Sequence, residues 1–333
     1  MFRLATYNLE NLEEDQDGGS DPTFAARAAV IRPALERLRA DIICFQEING
    51  QERPGAKRDI LALRELLTTT RYADHQLITT KTESGNEAYN ERNLVTALPP
   101  GWEVLDTQQI NQDRMEAPVF KRTVLPGEEA KPQRWERPLL YVQARPPGGT
   151  VLHILNVHFK SKLATRFAPL MEDRFTWNSA SGWAEGFFLS SVKRVGAALE
   201  ARLVIDDIFD TDPDARIVIA GDFNALSDEV PVMAVRGRVE ETGNGALAGR
   251  VMIPLEDNVP ESSRFTLYHH GHGEMIDHIL ASRNMLAAFS HTEIHNEILP
   301  DESIAFRGDA DFPEPDHAPV VAAFHDDLWQ AVS

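Results

Sequence analysis

The sequence predicts an α/β fold in which two mixed β-sheets pack together with helices outside them. Apolar strand-like runs recur along the whole chain, some joined by turns and others by amphipathic helices, which is the connectivity of mixed sheets. The amount of strand favours two sheets, and 42% hydrophobic residues in 333 can bury a sizeable core. No internal repeat or low-complexity linker interrupts the pattern, so we expect residues 1–333 to form a single domain.

Eight apolar runs predict the strands, beginning almost at the first residue. A turn at residues 146–149, Pro-Pro-Gly-Gly, separates two of the runs and predicts that they form a connected pair. The predicted strands are Leu4–Tyr7, Asp41–Phe45, Leu94–Leu98, Leu139–Ala144, Val151–Val157, Ile217–Ala220, Met275–Ala281 and Val320–Phe324.

Three segments with a helical spacing of apolar residues lie between the strands. The first spans Pro22–Leu38, with Asp21 as its candidate N-cap, and we expect Pro33 to kink or split it. The others are Ala56–Leu67 and Phe187–Phe209. Two long segments, Lys160–Gly186 and Gly237–Pro260, read as loops, which in compact domains are usually functional or mobile.

The composition restricts the classes of partner. A formal net charge of −19 disfavours a broad electropositive surface for duplex nucleic acid, although a metal ion and a few local cations can still neutralise bound phosphates. Five cations between Arg53 and Arg71 are expected to lie on a solvated helix face. No run approaches the ~18 apolar residues of a membrane span, so we expect no membrane association, and nothing in the sequence indicates a protein partner.

The single cysteine, Cys44, lies inside an apolar run, which predicts a buried structural thiol and excludes a disulfide within the chain. The N-terminus lacks a basic region followed by an apolar stretch, so we expect a cytoplasmic protein. A secreted mature form whose leader has been removed stays open as the alternative.

Short polar motifs stand at the ends of the predicted strands, where open α/β sheets place their chemistry. Asp222 and Asn224 follow one strand, and the pair Asp316-His317 precedes another. Carboxylate and amide oxygens suit a hard divalent cation, and an Asp-His pair can move a proton, so these residues predict an enzyme. In chain order the motifs are Asn8, Gln46-Glu47, Asn156-Val157-His158, Gly221-Asp222-Phe223-Asn224, Ile276-Asp277-His278 and Asp316-His317.

In this order of motifs the chain resembles the endonuclease/exonuclease/phosphatase superfamily, which includes DNase I and the exonuclease III-like abasic-site endonucleases. The likeness runs from Thr6 to Val320, and the run from Asn156 to Lys162 looks most like the bacterial extracellular-nuclease-like branch. The resemblance implies a four-layer α/β sandwich, with the site at one end of two mixed sheets flanked by helices.

The resemblance also implies a role for each matching residue. Metal binding, by Mg²⁺ or Mn²⁺, falls to Glu47, Asn8 and Asp316. The catalytic group comprises Asp222, Asn224, His317, Asp277 and His158: Asp222 orients or deprotonates the attacking water, Asn224 holds it, His317 and His158 face the phosphate, and Asp277 orients the His317 imidazole. The substrate contacts are expected at Arg92, Lys160 and Lys162. The expected activity is hydrolysis of a phosphodiester in DNA or RNA.

Other interpretations remain open at this stage. The same core could serve a phosphatase or phosphodiesterase for a small-molecule, inositol or lipid phosphate, and a non-catalytic binding module of the same fold is a third possibility. Asn8 could simply cap a turn, and Arg92 could be a surface ion-pair residue. The three histidines between His269 and His272 suggest a transition-metal cluster, but a solvated loop fits their spacing better. Trp177 and Trp183 could stack on bases, although burial under the loop is the expected outcome.

Overall fold

The computed structural model describes residues 1–15, 20–125, 127–305 and 312–329. Its strands form two six-stranded mixed sheets and two small two-stranded ones. The strands are β1 Phe2–Leu12, β2 Ile42–Ile48, β3 Gln76–Thr79, β4 Asn93–Leu98, β5 Glu103–Ile110, β6 Val119–Phe120, β7 Lys131–Pro132, β8 Leu139–Arg145, β9 Leu152–His158, β10 Arg216–Asp222, β11 Met252–Pro254, β12 Leu267–His269, β13 His272–Glu274, β14 Asp277–Ser282, β15 Phe289–Ile294 and β16 Val320–Phe324.

The two large sheets share one plan of strand pairing. Sheet one has the order β15-β16-β1-β2-β4-β3, and sheet two has the order β11-β14-β10-β9-β8-β5. Each contains one parallel pair near its centre, β1 with β2 and β9 with β10, and the remaining pairs are antiparallel. Because the carboxyl ends of parallel strands meet at one edge of a sheet, each pair brings two motif-bearing strand ends together.

Helices cover the outer face of each sheet and complete four layers. They are α1 Phe24–Leu38, α2 Leu61–Leu67, α3 Ala180–Thr211, α4 Val230–Arg236, α5 Val239–Thr242 and α6 Glu302–Ala305. Apolar residues of α1 and α2 pack on sheet one, and those of α3 and α4 pack on sheet two. A third core lies between the sheets and includes Cys44, which is fully buried as predicted. The predicted α/β sandwich is therefore confirmed.

The first helix differs from the prediction in where it begins and in continuing unbroken through Pro33. It begins at Phe24, and Thr23 is the N-cap, since its side chain accepts a hydrogen bond from the Ala26 amide. Pro33 neither splits nor ends the helix, which runs on to Leu38 because Ala34, Leu35 and Leu38 are buried against sheet one. Packing of that apolar face outweighs the lost main-chain hydrogen bond at proline.

The other differences concern helix starts and edge strands. The second helix begins at Leu61 rather than Ala56, and α3 begins at Ala180, seven residues before its predicted start, with Ser179 as its N-cap. The sequence did not predict any of the four edge strands of the large sheets: β11 is only three residues long, in a segment that reads as a loop, and the other three are β3, β5 and β15. Their mixed polar and apolar composition gives a weak strand signal, because one side of an edge strand meets solvent.

A buried amide pair joins the two sheets through their shared core. The Gln46 side chain of β2 donates through Nε2 to Asn156 Oδ1 of β9 at 2.8 Å, and both side chains are 0% exposed. Asn156 Nδ2 in turn donates to the carbonyls of Phe45 and Val95, and Gln46 Oε1 accepts from the Thr6 hydroxyl. With their polar atoms paired, these amides fix how one sheet sits on the other.

A charged contact ties β1 to the edge of sheet one across β16. Arg3 donates to Glu293 through Nη1 at 3.0 Å and Nη2 at 2.7 Å, and its Nε donates to the Leu38 carbonyl. His291 and His295 also contact the Glu293 carboxylate. The Arg3 hydrogen bonds, against a partial opposing effect of burial, lower the pKa of Glu293 from 4.5 to about 2.

We predict that Glu293→Gln lowers the free energy of unfolding at pH 7 by about 1 kcal/mol. A carboxylate whose folded pKa lies below its unfolded value stabilises the protein above the unfolded pKa, and this contribution is lost as the pH falls toward the folded pKa. The difference in the free energy of unfolding between wild type and variant should therefore become smaller as the pH falls from 4.5 to 2. Denaturant unfolding across this range measures it, with the exposed Glu116→Gln as control. A difference that does not change with pH would contradict the assignment.

Candidate active site

Four strand ends from the two parallel pairs converge at one edge of the sandwich. Asn8 and Glu47 come from β1 and β2, whereas His158 and Asp222 end β9 and β10. Glu47 Oε1 lies 3.5 Å from His158 Nε2, and that nitrogen lies 3.3 Å from Asp222 Oδ2. The contacts across the sheet–sheet boundary place these predicted site residues in one cluster.

The Asp222 carboxylate lies at the centre of this cluster and is 1% exposed. Its Oδ2 accepts hydrogen bonds from Asn8 Nδ2 at 3.2 Å and Asn224 Nδ2 at 3.0 Å, and its Oδ1 accepts from the Asn224 amide. Burial first, and the nearby carboxylates of Asp277 and Glu47, raise the pKa of Asp222 to about 7 even though His317 opposes the shift. A carboxylate with such a pKa can accept a proton near neutral pH.

His317 and Asp277 form a buried hydrogen-bonded pair. His317 Nδ1 lies 2.7 Å from Asp277 Oδ2, and His317 Nε2 lies 4.0 Å from Asp222 Oδ2. Burial disfavours the charged imidazole, but the carboxylates of Asp277 and Asp316 outweigh it and raise the pKa of His317 well above its ordinary value. This environment favours the imidazolium form of His317, and the hydrogen bond to Asp277 orients the ring as predicted.

His158 has the opposite charge state. It is buried, and this burial, together with Arg137 and His317, lowers the pKa of its imidazole well below the ordinary value. A neutral imidazole beside Glu47 and Asp222 can donate one hydrogen bond without carrying charge. The two histidines of the site thus have different properties, although both lie within 4.0 Å of Asp222.

A second group of carboxylates surrounds the position between Glu47 and Asp316. Glu10 Oε2 accepts from the Asp316 amide, and burial followed by the charge of Asp316 raises the pKa of Glu10 to about 8. Burial likewise raises the pKa of Asp316 to about 7, with Glu47 adding to the shift, and Asp316 Oδ1 is buried without a hydrogen-bond partner. Oxygen-rich, mutually repelling carboxylates with an orphaned buried oxygen fit a hard divalent cation such as Mg²⁺ or Mn²⁺.

The described residues hold one group of three possible metal ligands within 4.8 Å of one another, Asp222, Asp277 and His317. His317 Nδ1 in this group is already engaged by Asp277 at 2.7 Å. A charged imidazole also repels a cation. The oxygen atoms of Glu47, Asn8 and Asp316 stay the predicted donor set for a hard metal ion.

Arg137 is a site residue that the sequence analysis missed. It lies two residues before β8, which begins alongside the end of β9, and its Nη1 donates to the Phe159 carbonyl at 3.4 Å. Burial lowers the pKa of its guanidinium, although the charges of Glu47 and Asp222 oppose this effect. The feature that could have revealed Arg137 is the antiparallel pairing of two predicted strands, because such pairing places the start of one strand beside the end of the other.

The three predicted substrate contacts differ in their surroundings, and two of them, Arg92 and Lys160, interact electrostatically with Arg137. Arg92 is exposed and donates to Asn11 Oδ1. Lys160 Nζ lies 3.8 Å from Glu136, and burial, with Arg137 adding to it, lowers its pKa to about 8. Lys162 Nζ lies 3.0 Å from Glu229 and 3.8 Å from Glu274. Much of the lysine charge is thus matched by protein carboxylates.

The segment after Lys160 forms a packed loop that ends at the N-cap of α3. Its Leu163 carbonyl accepts from Ser190 on α3. Trp177 is half-buried, whereas Trp183 is 46% exposed and stacks on Phe187, so the expected burial of Trp183 is wrong. Phe175 is 72% exposed, with the guanidinium carbons of Arg166 and Arg174 at 5.5 and 5.4 Å from its ring centre.

Two other sequence features have structural explanations. The histidines of the β12–β13 hairpin contact one another and Glu302, and they belong to no three-ligand group within the described ranges. The basic stretch from Arg53 to Arg71 pairs largely with carboxylates, the partners being Glu14, Glu52, Asp59 and Glu36. Neither feature therefore adds a free cationic surface or a metal site.

Left-handed backbone is concentrated around the cleft. Of the eight non-glycine residues described with positive φ, five are Glu10, Asn11, Glu47, Arg92 and Asn224. Each such conformation costs of the order of 1 kcal/mol and persists where surrounding contacts fix it. Strain of this kind at strand ends is typical of a functional site.

The comparisons with known proteins agree with this geometry. Residues 5–299 match the model of the Endonuclease/Exonuclease/phosphatase family. The chain belongs to this family. No match is found among curated protein sequences. Among the helices that the structure describes, none is both long and apolar enough to cross a membrane.

Solved structures with the same fold have low sequence identity. Truncated TDP2 from Caenorhabditis elegans aligns with a TM-score of 0.57 at 13% identity, covering 97% of each chain. An AP endonuclease from Archaeoglobus fulgidus aligns with a TM-score of 0.52 at 13% identity, and the alignment covers 97% of this chain and 99% of that one. A functionally unknown protein from Enterococcus faecalis V583 aligns with a TM-score of 0.52 at 15% identity, and the alignment covers 97% of this chain and 99% of that one. These likenesses establish the fold.

The close approach of β9 and β10 predicts the effect of a small substitution beside Asp222. Gly221 has φ +149°, and a Cβ there would lie 1.9 Å from the Val157 carbonyl oxygen. We predict that Gly221→Ala destabilises the fold by about 3 kcal/mol or more, since the parallel pair must separate. Thermal unfolding measures this, and Gly245→Ala, where a Cβ meets nothing within 4 Å, is the control. Equal midpoints for the two variants would refute the packing constraint.

Proposed function

We propose that the protein is a divalent-metal-dependent phosphodiesterase in which Asp222 activates the attacking water. The observation that carries this proposal is the set of neighbours of Asp222: two amide donors, a neutral histidine and a charged histidine around one buried carboxylate. Phosphoester hydrolysis needs a positioned water and groups that neutralise the charge growing on the phosphoryl oxygens. The residues of this cluster would meet both requirements.

The metal would be held by Glu47, Asn8 and Asp316. When bound, Mg²⁺ or Mn²⁺ would polarise the phosphoryl group and neutralise charge on its oxygens. Burial first, and then the charge of Glu47, raise the pKa of Asp316, and this buried negative charge supports the proposal. The identity of the preferred ion is left to experiment.

The protein groups would perform the remaining steps. Asp222 would accept the proton of the attacking water, while Asn224 holds that water in line. The His317 imidazolium, oriented by Asp277, would donate to a phosphoryl oxygen, and neutral His158 would donate from the opposite side. Arg137 and Arg92 would add positive charge where the substrate phosphate enters.

For the substrate we propose a nucleic-acid strand. The support is the family's nuclease members and the exposed ring of Phe175 between Arg166 and Arg174, since a cation beside an aromatic ring suits a backbone phosphate and a stacked base. A small or lipid phosphate ester is the second candidate. It is favoured by the pairing of Lys162 and Lys160 with carboxylates and by the net charge of −19.

We predict that Asp222→Asn lowers kcat by about 10²–10⁴-fold because the proton acceptor is lost. The thermal midpoint should be unchanged or raised, since buried carboxylates that repel one another do not favour the fold. A panel of plasmid DNA, single-stranded RNA, abasic duplex and phosphate monoesters, with Mg²⁺, Mn²⁺ or excess chelator, supplies the measurement. The exposed Asp228→Asn is the control. Turnover in excess chelator would disprove the metal requirement, and a folded, active Asp222→Asn would disprove the role of Asp222.

We predict that the double variant Arg166→Ala/Arg174→Ala weakens binding of single-stranded nucleic acid more than it slows hydrolysis of a small chromogenic phosphodiester. It should also flatten the salt dependence of binding, because fewer phosphates are neutralised. Arg64→Ala/Arg71→Ala removes the same charge from the other side of the sandwich and is the matched control. If the double variant loses as much hydrolysis of the small phosphodiester as it loses binding of nucleic acid, the small phosphate ester becomes the favoured substrate.

A further inference from the structure

Strand β14 carries two adjacent residues that point in opposite directions and contact both halves of the candidate active site. Asp277 bonds to His317, as described above. The next residue, His278, faces the other side of sheet two, where its ring meets Phe223 edge-on. Since neighbouring side chains on a strand alternate between faces, one strand register sets both contacts.

His278 is fully buried and holds two acceptors at once. Its Nδ1 lies 2.5 Å from Glu256 Oε1, and its Nε2 lies 2.8 Å from the carbonyl oxygen of Ala225. A carbonyl oxygen can only accept, so Nε2 carries a proton and donates it. Glu256, itself 0% exposed, holds Nδ1 and so fixes the ring orientation from the other side.

We infer that the Glu256–His278 pair is a positioning device for the turn that carries Asp222 and Asn224. This inference rests on the proposed function, because it assigns the turn a role in turnover. The bond to the Ala225 carbonyl anchors the turn one residue after Asn224. The other anchor is the Phe223 amide, which donates to the Ile276 carbonyl beside β14. Both anchors hold the turn to the strand that positions His317.

The turn needs such anchors because its backbone is strained. Asn224 has a left-handed φ of 49°, which an asparagine adopts only at some energetic expense. Its amide donates to Asp222 Oδ1 and its side chain to Asp222 Oδ2, so relaxation of Asn224 would move the carboxylate. A displacement of about 1 Å in a catalytic group can lower turnover by about 10²-fold.

The test distinguishes the effect of losing the hydrogen bond to the Ala225 carbonyl from the effect of removing the buried charge of Glu256. Glu256→Gln removes the charge but leaves His278 able to donate through Nε2. The double variant Glu256→Gln/His278→Leu removes the donor as well and leaves no unpaired carboxylate. His153→Leu is the matched control: His153 is also a buried histidine with one hydrogen bond, to the Tyr141 hydroxyl, but it lies near the opposite end of β9 from His158.

We expect the double variant to show kcat lowered by about 10–100-fold relative to Glu256→Gln, with KM within about 3-fold. His153→Leu should lower the thermal midpoint and leave kcat within about 2-fold. Hydrogen exchange supplies a readout that needs no activity: the amides of Phe223 and Asn224 should exchange faster in the double variant, but not in His153→Leu.

Two results would overturn the inference. One is a double variant whose kcat per folded molecule equals that of Glu256→Gln, and the other is unchanged protection of the Phe223 and Asn224 amides. A wild-type protein that hydrolyses no phosphate ester would refute the proposed function instead. In that case the exchange measurement alone still decides whether His278 holds the turn.

Discussion

The hydrogen bond between Gln46 and Asn156 is the constraint on which the site depends. It joins the central strand pairs of two sheets inside an otherwise apolar core, where an unpaired amide would cost several kcal/mol. Because these amides also bond to strand carbonyls and to Thr6, sliding one sheet over the other would leave several buried polar groups unpaired. Glu47 follows Gln46 directly and His158 follows Asn156 by two residues, so this core contact brings the two site residues face to face.

Electrostatics then divides the cleft into two parts. On one side Glu10, Glu47 and Asp316 bring together carboxylates whose repulsion suits a divalent cation. On the other, Arg137 and Arg92 supply positive charge. Asp222 lies within 4.0 Å of both His158 and His317. In the proposed function the acidic side would hold the metal ion, the basic side would bind the substrate phosphate, and the Asp222 carboxylate would accept the proton of the attacking water.

The sequence predicted the parts of the fold that carry strong local signals. The central strands are continuous apolar runs because both of their faces are buried, and the polar residues at their ends stand out for that reason. The edge strand β5 alternates exposed and half-buried residues and gave no such signal. The first turns of α3, which carry the exposed Trp183, looked like a loop, since an exposed aromatic residue blurs the helical pattern.

The candidate site was predicted where a residue belongs to a polar motif at a strand end and missed where it does not. Asp222, His158 and Glu47 stand in such motifs, whereas Arg137 lies two residues before β8, outside all of them, and reaches the cleft only through the antiparallel pairing of β8 with β9. Pairing partners are set by long-range packing, which a single sequence does not encode locally. The same holds for His278, whose partners Glu256 and Ala225 lie 22 and 53 residues away along the chain.

Calorimetric titration with Mg²⁺ and Mn²⁺ tests the central claim most directly, because it reports on the converged strand ends without any assumption about substrate. The account predicts saturable binding of a divalent ion by the wild-type protein, and its loss in Glu47→Gln at an unchanged thermal midpoint. Undiminished binding by Glu47→Gln, or no binding by the wild type, would contradict a metal site built from the paired ends of the two sheets.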